Sequence, residues 1–274
     1  MSRRYLTDPD HADVAEEVEQ MLAEQLPGMT PAPARAADLR LRMLQRVRAA
    51  NAAVDGLSGL RLSEGEWRPL VRGVRVKTLS SASGAVLLDL DAGGQLPLHR
   101  HDMDEECVVL RGEVRMPDMR VGTGDYHIAR SGSRHAIIRA PHGALIYLRG
   151  APIGDTGRAL TSIASALIPR RRVDLVTLRS DGGEWQDLAP GVARRVLHRF
   201  ADQESCMLRF APGASLPAGA LPIDQESLIV EGEVYYGRKV ATLGDYWIGS
   251  AGQPGPEMAS DDGAVVFVRG ARVG

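Results

Sequence analysis

A chain of 274 residues, 44% of them apolar, exceeds what one core usually organises, so two core-forming domains are expected. Its 33 Lys and Arg against 35 Asp and Glu leave a formal charge of −2, which excludes the basic surplus of a general nucleic-acid binder. No run of about 18 apolar residues occurs, and Met1 to Asp8 carries two arginines without the apolar core of a signal peptide, so a cytoplasmic protein with no membrane partner is expected.

From Asp8 to about Ala50 the pattern is helical. Val14, Val18, Met21 and Leu22 share one face, Asp8-Pro9 suits a helix start, and Leu26-Pro27-Gly28 ends it. A link from Thr30 to Pro33 precedes a second helix, from about Ala36 to Ala50, with Leu39, Met43, Leu44 and Val47 on its apolar stripe. The first helix is acidic and the second basic, which reads as two solvated faces of a hairpin. Residues 1–52 are taken as this helical N-terminal segment.

Beyond it, short runs of Val, Leu, Ile and Thr are punctuated by glycines about every ten residues, as in an all-β barrel or sandwich. This β region occurs twice. Glu66-Trp67 recurs as Glu184-Trp185, and Glu106 to Val114 (ECVVLRGEV) as Glu226 to Val234 (ESLIVEGEV). Gly124-Asp125-Tyr126 recurs as Gly244-Asp245-Tyr246, and Gly143 to Gly150 as Gly263 to Gly270. The offset is 118 residues at the start and 120 from the middle onward, so the chain is read as duplicated domains, 53–150 and 173–274, around a linker at 151–172 that is either a crossing strand or a plain connection. Cys107 and Cys206 lie far apart without C-x-x-C spacing, which supports neither a disulfide framework nor a thiolate zinc module.

The first repeat carries the chemistry. His99 and His101 are two apart in a strand-like run and so present both imidazoles to one face; Glu105 has the same parity. Two imidazoles and a carboxylate suit a divalent transition metal, and a fourth ligand, His135, returns on a neighbouring strand after a glycine-bounded turn at Gly132. In the 120-residue register His99, His101, Glu105 and His135 become Gly219, Leu221, Gln225 and Gly255, so the second repeat should be metal-free. His127, Cys107 and Tyr147 are further candidates for the surroundings of the ion. Trp67 and Trp185, at matching positions, read as structural anchors.

These spacings resemble those of the cupins, and HRHDMDEECVVLRG at His99 to Gly112, with the Gly-Asp-Tyr turn and His135, is similar to the ChrR-type cupins. One departure is Arg130, where the second cupin motif customarily has proline. The resemblance implies a mainly β protein of two tandem RmlC-like jelly-roll barrels, with one divalent ion per chain held by His99, His101, Glu105 and His135. Zinc is expected first, and iron, nickel or manganese are alternatives. It implies either a sensory or regulatory protein related to cupin anti-sigma factors, or an iron dioxygenase similar to the acetylacetone-cleaving enzyme, acting on a small dicarbonyl. A sigma factor is a candidate partner for the helices, although Met1 to Ala50 has no cysteine for the zinc-binding element of anti-sigma domains. A small-molecule ligand and a homodimer are expected as well.

Overall fold

The computed structural model describes Arg35, residues 38–43, 54–150, 175–221, 225–249 and 255–271. Met1–Ala49 and Ala50–Gly274 form separate compact units. In the first, residues 38–43 are helical, with an i, i+4 ion pair between Asp38 and Arg42 and with Leu39 and Met43 more than half exposed. The first expected helix, the Thr30 to Pro33 link and the 151–172 stretch lie outside the described residues. No helix among the described residues is long and apolar enough to cross a membrane.

The larger unit is built from two antiparallel ten-stranded sheets and a two-stranded ribbon. One sheet is centred on Glu105–Met116, Ala144–Arg149 and Ala85–Leu90, the other on Glu226–Tyr236, Ala264–Ala271 and Gln203–Phe210. These are the duplicated segments in the same order. Their central strands are apolar on both faces, which separates two sets of buried residues by strand parity. Val86, Leu88, Cys107, Val109, Ile146 and Leu148 fill the interior of the first repeat. Leu87, Val108 and Tyr147, at the alternate positions, pack instead with Met207, Leu228 and Phe267 of the second repeat.

That interface between repeats also buries charge. Arg149 Nε lies 3.1 Å from Glu226 Oε2, and Arg269 Nε donates to Glu106 Oε2 at 2.9 Å. The pairs are reciprocal, because 106 and 226, like 149 and 269, are the same positions of the repeat. Tyr126 donates to Glu106 and Tyr246 to Glu226, each at 2.7 Å.

Sheet membership departs from chain order at two places. Ser58–Leu60, at the start of the first repeat, pairs with Tyr246–Ile248 of the second, and Leu175–Leu178, at the start of the second, pairs with Tyr126–Ala129 of the first. The aspartate of each Gly-Asp-Tyr turn clamps the visiting segment. Asp125 accepts from the backbone N–H of Ser180 at 2.8 Å, and Asp245 from that of Leu62 at 2.7 Å. Trp67 and Trp185 lie beneath cations, with Lys77 Nζ 4.8 Å from the first ring and the Arg209 guanidinium 4.3 Å from the second.

The repeated glycines of RGEV and EGEV serve a backbone purpose. Gly112 has φ +77°, and a Cβ there would come within 2.2 Å of the Gly143 carbonyl oxygen; Gly232 stands in the same relation to Gly263. Gly112→Ala is therefore expected to destabilise the protein by about 2 kcal/mol or more, read as a lower denaturation midpoint, whereas Gly93→Ala, with nothing near its Cβ, should cost only the αL penalty of about 1 kcal/mol.

Candidate metal centre

Three segments bring the four expected ligands together. His99–Arg100 pairs with Arg134–His135 in the two-stranded ribbon, and its register sets His99 directly opposite His135. His101 follows immediately and is fixed by backbone bonds, its N–H to the Ser133 carbonyl at 3.0 Å and its carbonyl from the Gly132 N–H at 2.7 Å. Glu105 opens the long strand Glu105–Met116. Arg100, between the two histidines, points away and donates to the Gly132 carbonyl.

One ligand atom from each of His99, His101, Glu105 and His135 lies within 4.8 Å of the others. The three imidazole centroids are 4.7 to 5.3 Å apart. His101, Glu105 and His135 are buried, while His99 is half-buried. His99 Nδ1–H donates to the Pro97 carbonyl at 2.8 Å, which leaves Nε2 as its bare nitrogen. Among the described residues, His101 Nε2 and His135 Nδ1 are buried without a partner.

Burial disfavours every charge in this cluster. It pushes the Glu105 carboxyl up to about 8. It lowers His101 to about 3 and His135 to about 2, with a further contribution from the neighbouring imidazoles, and it lowers His99 as well. Three neutral imidazoles, two with orphaned nitrogens, and one reluctant carboxyl group are costly to bury for no purpose. A divalent cation would satisfy all of them, so the residues present fit such an ion.

The other candidates separate. His127 is buried on the inner face, with Nε2 3.0 Å from His135 Nε2 and Nδ1 2.8 Å from Thr177 Oγ1. Cys107 lies on the same inner face, packed among apolar residues, and burial pushes its thiol up. Tyr147 requires a correction. It faces the interface between repeats, 5.5 Å from the Phe267 ring and 6.3 Å from Tyr246, because its parity is that of Leu145 and not that of Ile146. Thr177 was invisible to sequence reasoning, since it reaches the site through a strand that chain order assigns to the other repeat.

In the second repeat one backbone bond of the ribbon persists, without the candidate ligands. The Gly219 N–H still donates to the Gly255 carbonyl at 2.9 Å, Leu221 joins the interior core, and Gln225 is buried with both amide atoms unpartnered among the described residues. Trp247 stands where the first repeat has His127.

The model of the ChrR cupin-like domain matches residues 58–152 and again 174–273. No curated protein matches the chain. Among solved structures, a Nostoc punctiforme protein described as a candidate dioxygenase is 14% identical, with TM-score 0.52, over 79% of this chain and 80% of that one. AerE from Microcystis aeruginosa is 13% identical, with TM-score 0.50, over 76% and 97%. A variant of Bacillus subtilis oxalate decarboxylase OxdC is 14% identical, with TM-score 0.52, over 77% and 76%. At these identities the likeness is one of fold, and the fold is a mainly β pair of tandem jelly-roll barrels.

Proposed function

The chain belongs to the ChrR cupin-like family, and from that premise we propose that it is a metal-dependent sensory or regulatory bicupin, with one divalent ion per chain in the first barrel and none in the second. The observation that carries this reading is the asymmetry between the copies. The first gathers three imidazoles and a carboxylate within 4.8 Å, whereas the second has glycine, leucine, glutamine and glycine at the same positions. His99, His101, Glu105 and His135 would hold the ion, which when bound supplies a Lewis-acid centre for a small oxygen-donor ligand. The half-buried His99 marks the side from which that ligand arrives, and Met103 and Ile137, both exposed, lie two residues from candidate ligands in sequence.

A second reading is an iron dioxygenase acting on a small dicarbonyl. It is favoured by the solvent-facing edge at His99 and by the fold shared with the Nostoc protein. Metal content together with oxygen uptake in the presence of a β-diketone separates the two. Zinc with no turnover, followed by capture of a sigma factor, supports regulation; iron with oxygen consumption supports the dioxygenase.

Glu105 adds a pH signature. Its carboxyl group holds a proton up to about pH 8 in the metal-free protein, and that proton must leave for the oxygen to coordinate. The histidines are already neutral at that pH and contribute nothing. Apparent affinity for zinc should therefore rise about tenfold per pH unit between roughly pH 6 and 7.5 and level off above about 8. Glu105→Gln should bind more weakly and lose the slope, which titration against a chromophoric chelator would show.

A further inference from the structure

We infer that the second barrel has a binding site of its own, for a small hydroxycarboxylate, formed by Arg194, Gln225 and Trp247 at the end that corresponds to the metal centre. This site goes beyond the proposed function, since it lies in the other barrel and no metal takes part in it.

Strand parity brings these side chains to one inner face. Gln225 and Ser227 share a parity, and Trp247 is the register partner of Ser227. On the other side Glu226 pairs with Arg269, so the register sets Gln225 opposite Gly270, whose next partner is Glu204. Glu204 shares the inner parity of Cys206 and Leu208, and Arg194, the register partner of Leu208, donates to its carboxylate. Five adjacent strands thus carry one polar cluster, with Gly270 contributing no side chain between Gln225 and Glu204.

The first repeat has no counterpart. Arg194 and Glu204 match Val76 and Gly84, while Gln225 and Trp247 match Glu105 and His127. The imidazoles at 99 and 135 are replaced by Gly219 and Gly255, and Gly219 is exposed, so no side chain closes the barrel from that position.

The cluster is buried and its hydrogen bonding is incomplete. Gln225 is 2% exposed and Trp247 7%. Among the described residues, both amide atoms of Gln225, the indole nitrogen of Trp247 and Nε of Arg194 are buried without a partner. The hydroxyls of Ser227 and Tyr236, by contrast, satisfy each other at 3.1 Å. Unpaired polar groups of this kind are costly to bury, and their chemistry defines what would satisfy them. The N–H donors suit carboxylate oxygens, with Arg194 Nε–H making a charge-assisted bond. Glu204, which bonds Arg194, also lies 3.7 Å from Arg199, so two guanidinium groups share one carboxylate and leave a positive surplus for an anion. The Gln225 oxygen needs a donor, which a hydroxyl group on the acid supplies.

Each of these N–H groups gives its own proton–nitrogen NMR signal, so the test titrates the metal-free full chain with glycolate. The expected result is a shift of the Arg194 Nε–H, Trp247 indole and Gln225 amide signals at one common affinity. Acetate, which lacks the hydroxyl, and glycolamide, which lacks the charge, should each bind about tenfold more weakly or worse. Equal binding of glycolate and either analogue overturns the ligand class. Arg194→Lys keeps a cation for Glu204 without the second N–H and should weaken glycolate binding about tenfold or more. Gly255→Ala sets a methyl group 3.6 Å from Gln225 Nε2 and should weaken it while leaving every polar group in place, which decides the matter should the Arg194 variant fail to fold. Unchanged binding in either folded variant overturns the site, as does the absence of a shift in any of the three signals. The His99→Ala/His101→Ala variant should bind glycolate as the unmodified chain does; loss there would assign the ligand to the first barrel and overturn the inference. A chain that binds glycolate in this way and takes up no metal refutes the proposed function and leaves this site standing.

Discussion

Protein purified without added metal or chelator is expected to carry about one divalent ion per chain, and the His99→Ala/His101→Ala double variant none, as read by elemental analysis. The size of the effect follows from the geometry. The double variant removes two of the four groups within 4.8 Å and leaves a buried carboxyl group facing a single imidazole. Because the ligands come from three segments that meet only in the folded state, binding is linked to folding. With free metal held a thousandfold above its dissociation constant, the ion adds about 4 kcal/mol to the stability of the folded chain. A strong chelator should lower the unfolding midpoint of the wild type accordingly and leave the double variant unmoved. Converting the second barrel's Gln225 to glutamate should add no second ion, since Gly219, Leu221 and Gly255 offer no donor side chains there. A stoichiometry near two per chain in the unmodified protein would overturn the asymmetry on which the proposed function rests.

The second large effect is expected at the joint between the barrels. Arg269→Met leaves Glu106 buried among Tyr126, Ser205 and the interface core without its cation. Breaking a buried pair in this way costs about 3 to 5 kcal/mol, whereas replacing both partners, as in Glu106→Leu/Arg269→Met, should recover much of the loss. The mate of this pair, Arg149 with Glu226, is more exposed at 20% and 12% of the side chains, so Arg149→Met should cost less. Chemical denaturation of the three single and double variants measures all of this. Metal content serves as the control: Glu106 and Glu105 are adjacent but face opposite sides of the strand, so the joint can be weakened without touching a ligand. Equal costs for Arg269→Met and Arg149→Met would show that burial does not govern these pairs.

The cluster of His99, His101, Glu105 and His135 was legible in the sequence because its signal is local and periodic. His99, His101 and Glu105 share a parity that any extended chain turns to one face, and the second copy, aligned by its glycines, shows which positions had lost their donors. The repeat itself was legible for a similar reason. Glycines such as Gly112 and Gly232 are demanded by positive φ and close backbone contact, and they therefore recur in register.

Parity gave no answer where both faces of a strand are apolar. Tyr147 lies in ALIYLR, in which Ile146 and Leu148 line the barrel while Leu145 and Tyr147 meet the other repeat, and hydrophobicity alone does not distinguish one interior from the other. Nor could spacing reveal contacts made across the duplication. Asp125 was visible as part of a turn, but its grip on Ser180, and the approach of Thr177 to His127, join residues 55 and 50 positions apart through an exchanged strand. The sequence by itself determined the duplication, the grouping of His99, His101, Glu105 and His135, and the different residue types at the matching positions of the second repeat, since each is written in periodicity and register. Only the tertiary structure decided which strands complete which barrel and which face of each apolar strand meets the partner repeat, because those outcomes depend on packing between segments that no local pattern connects.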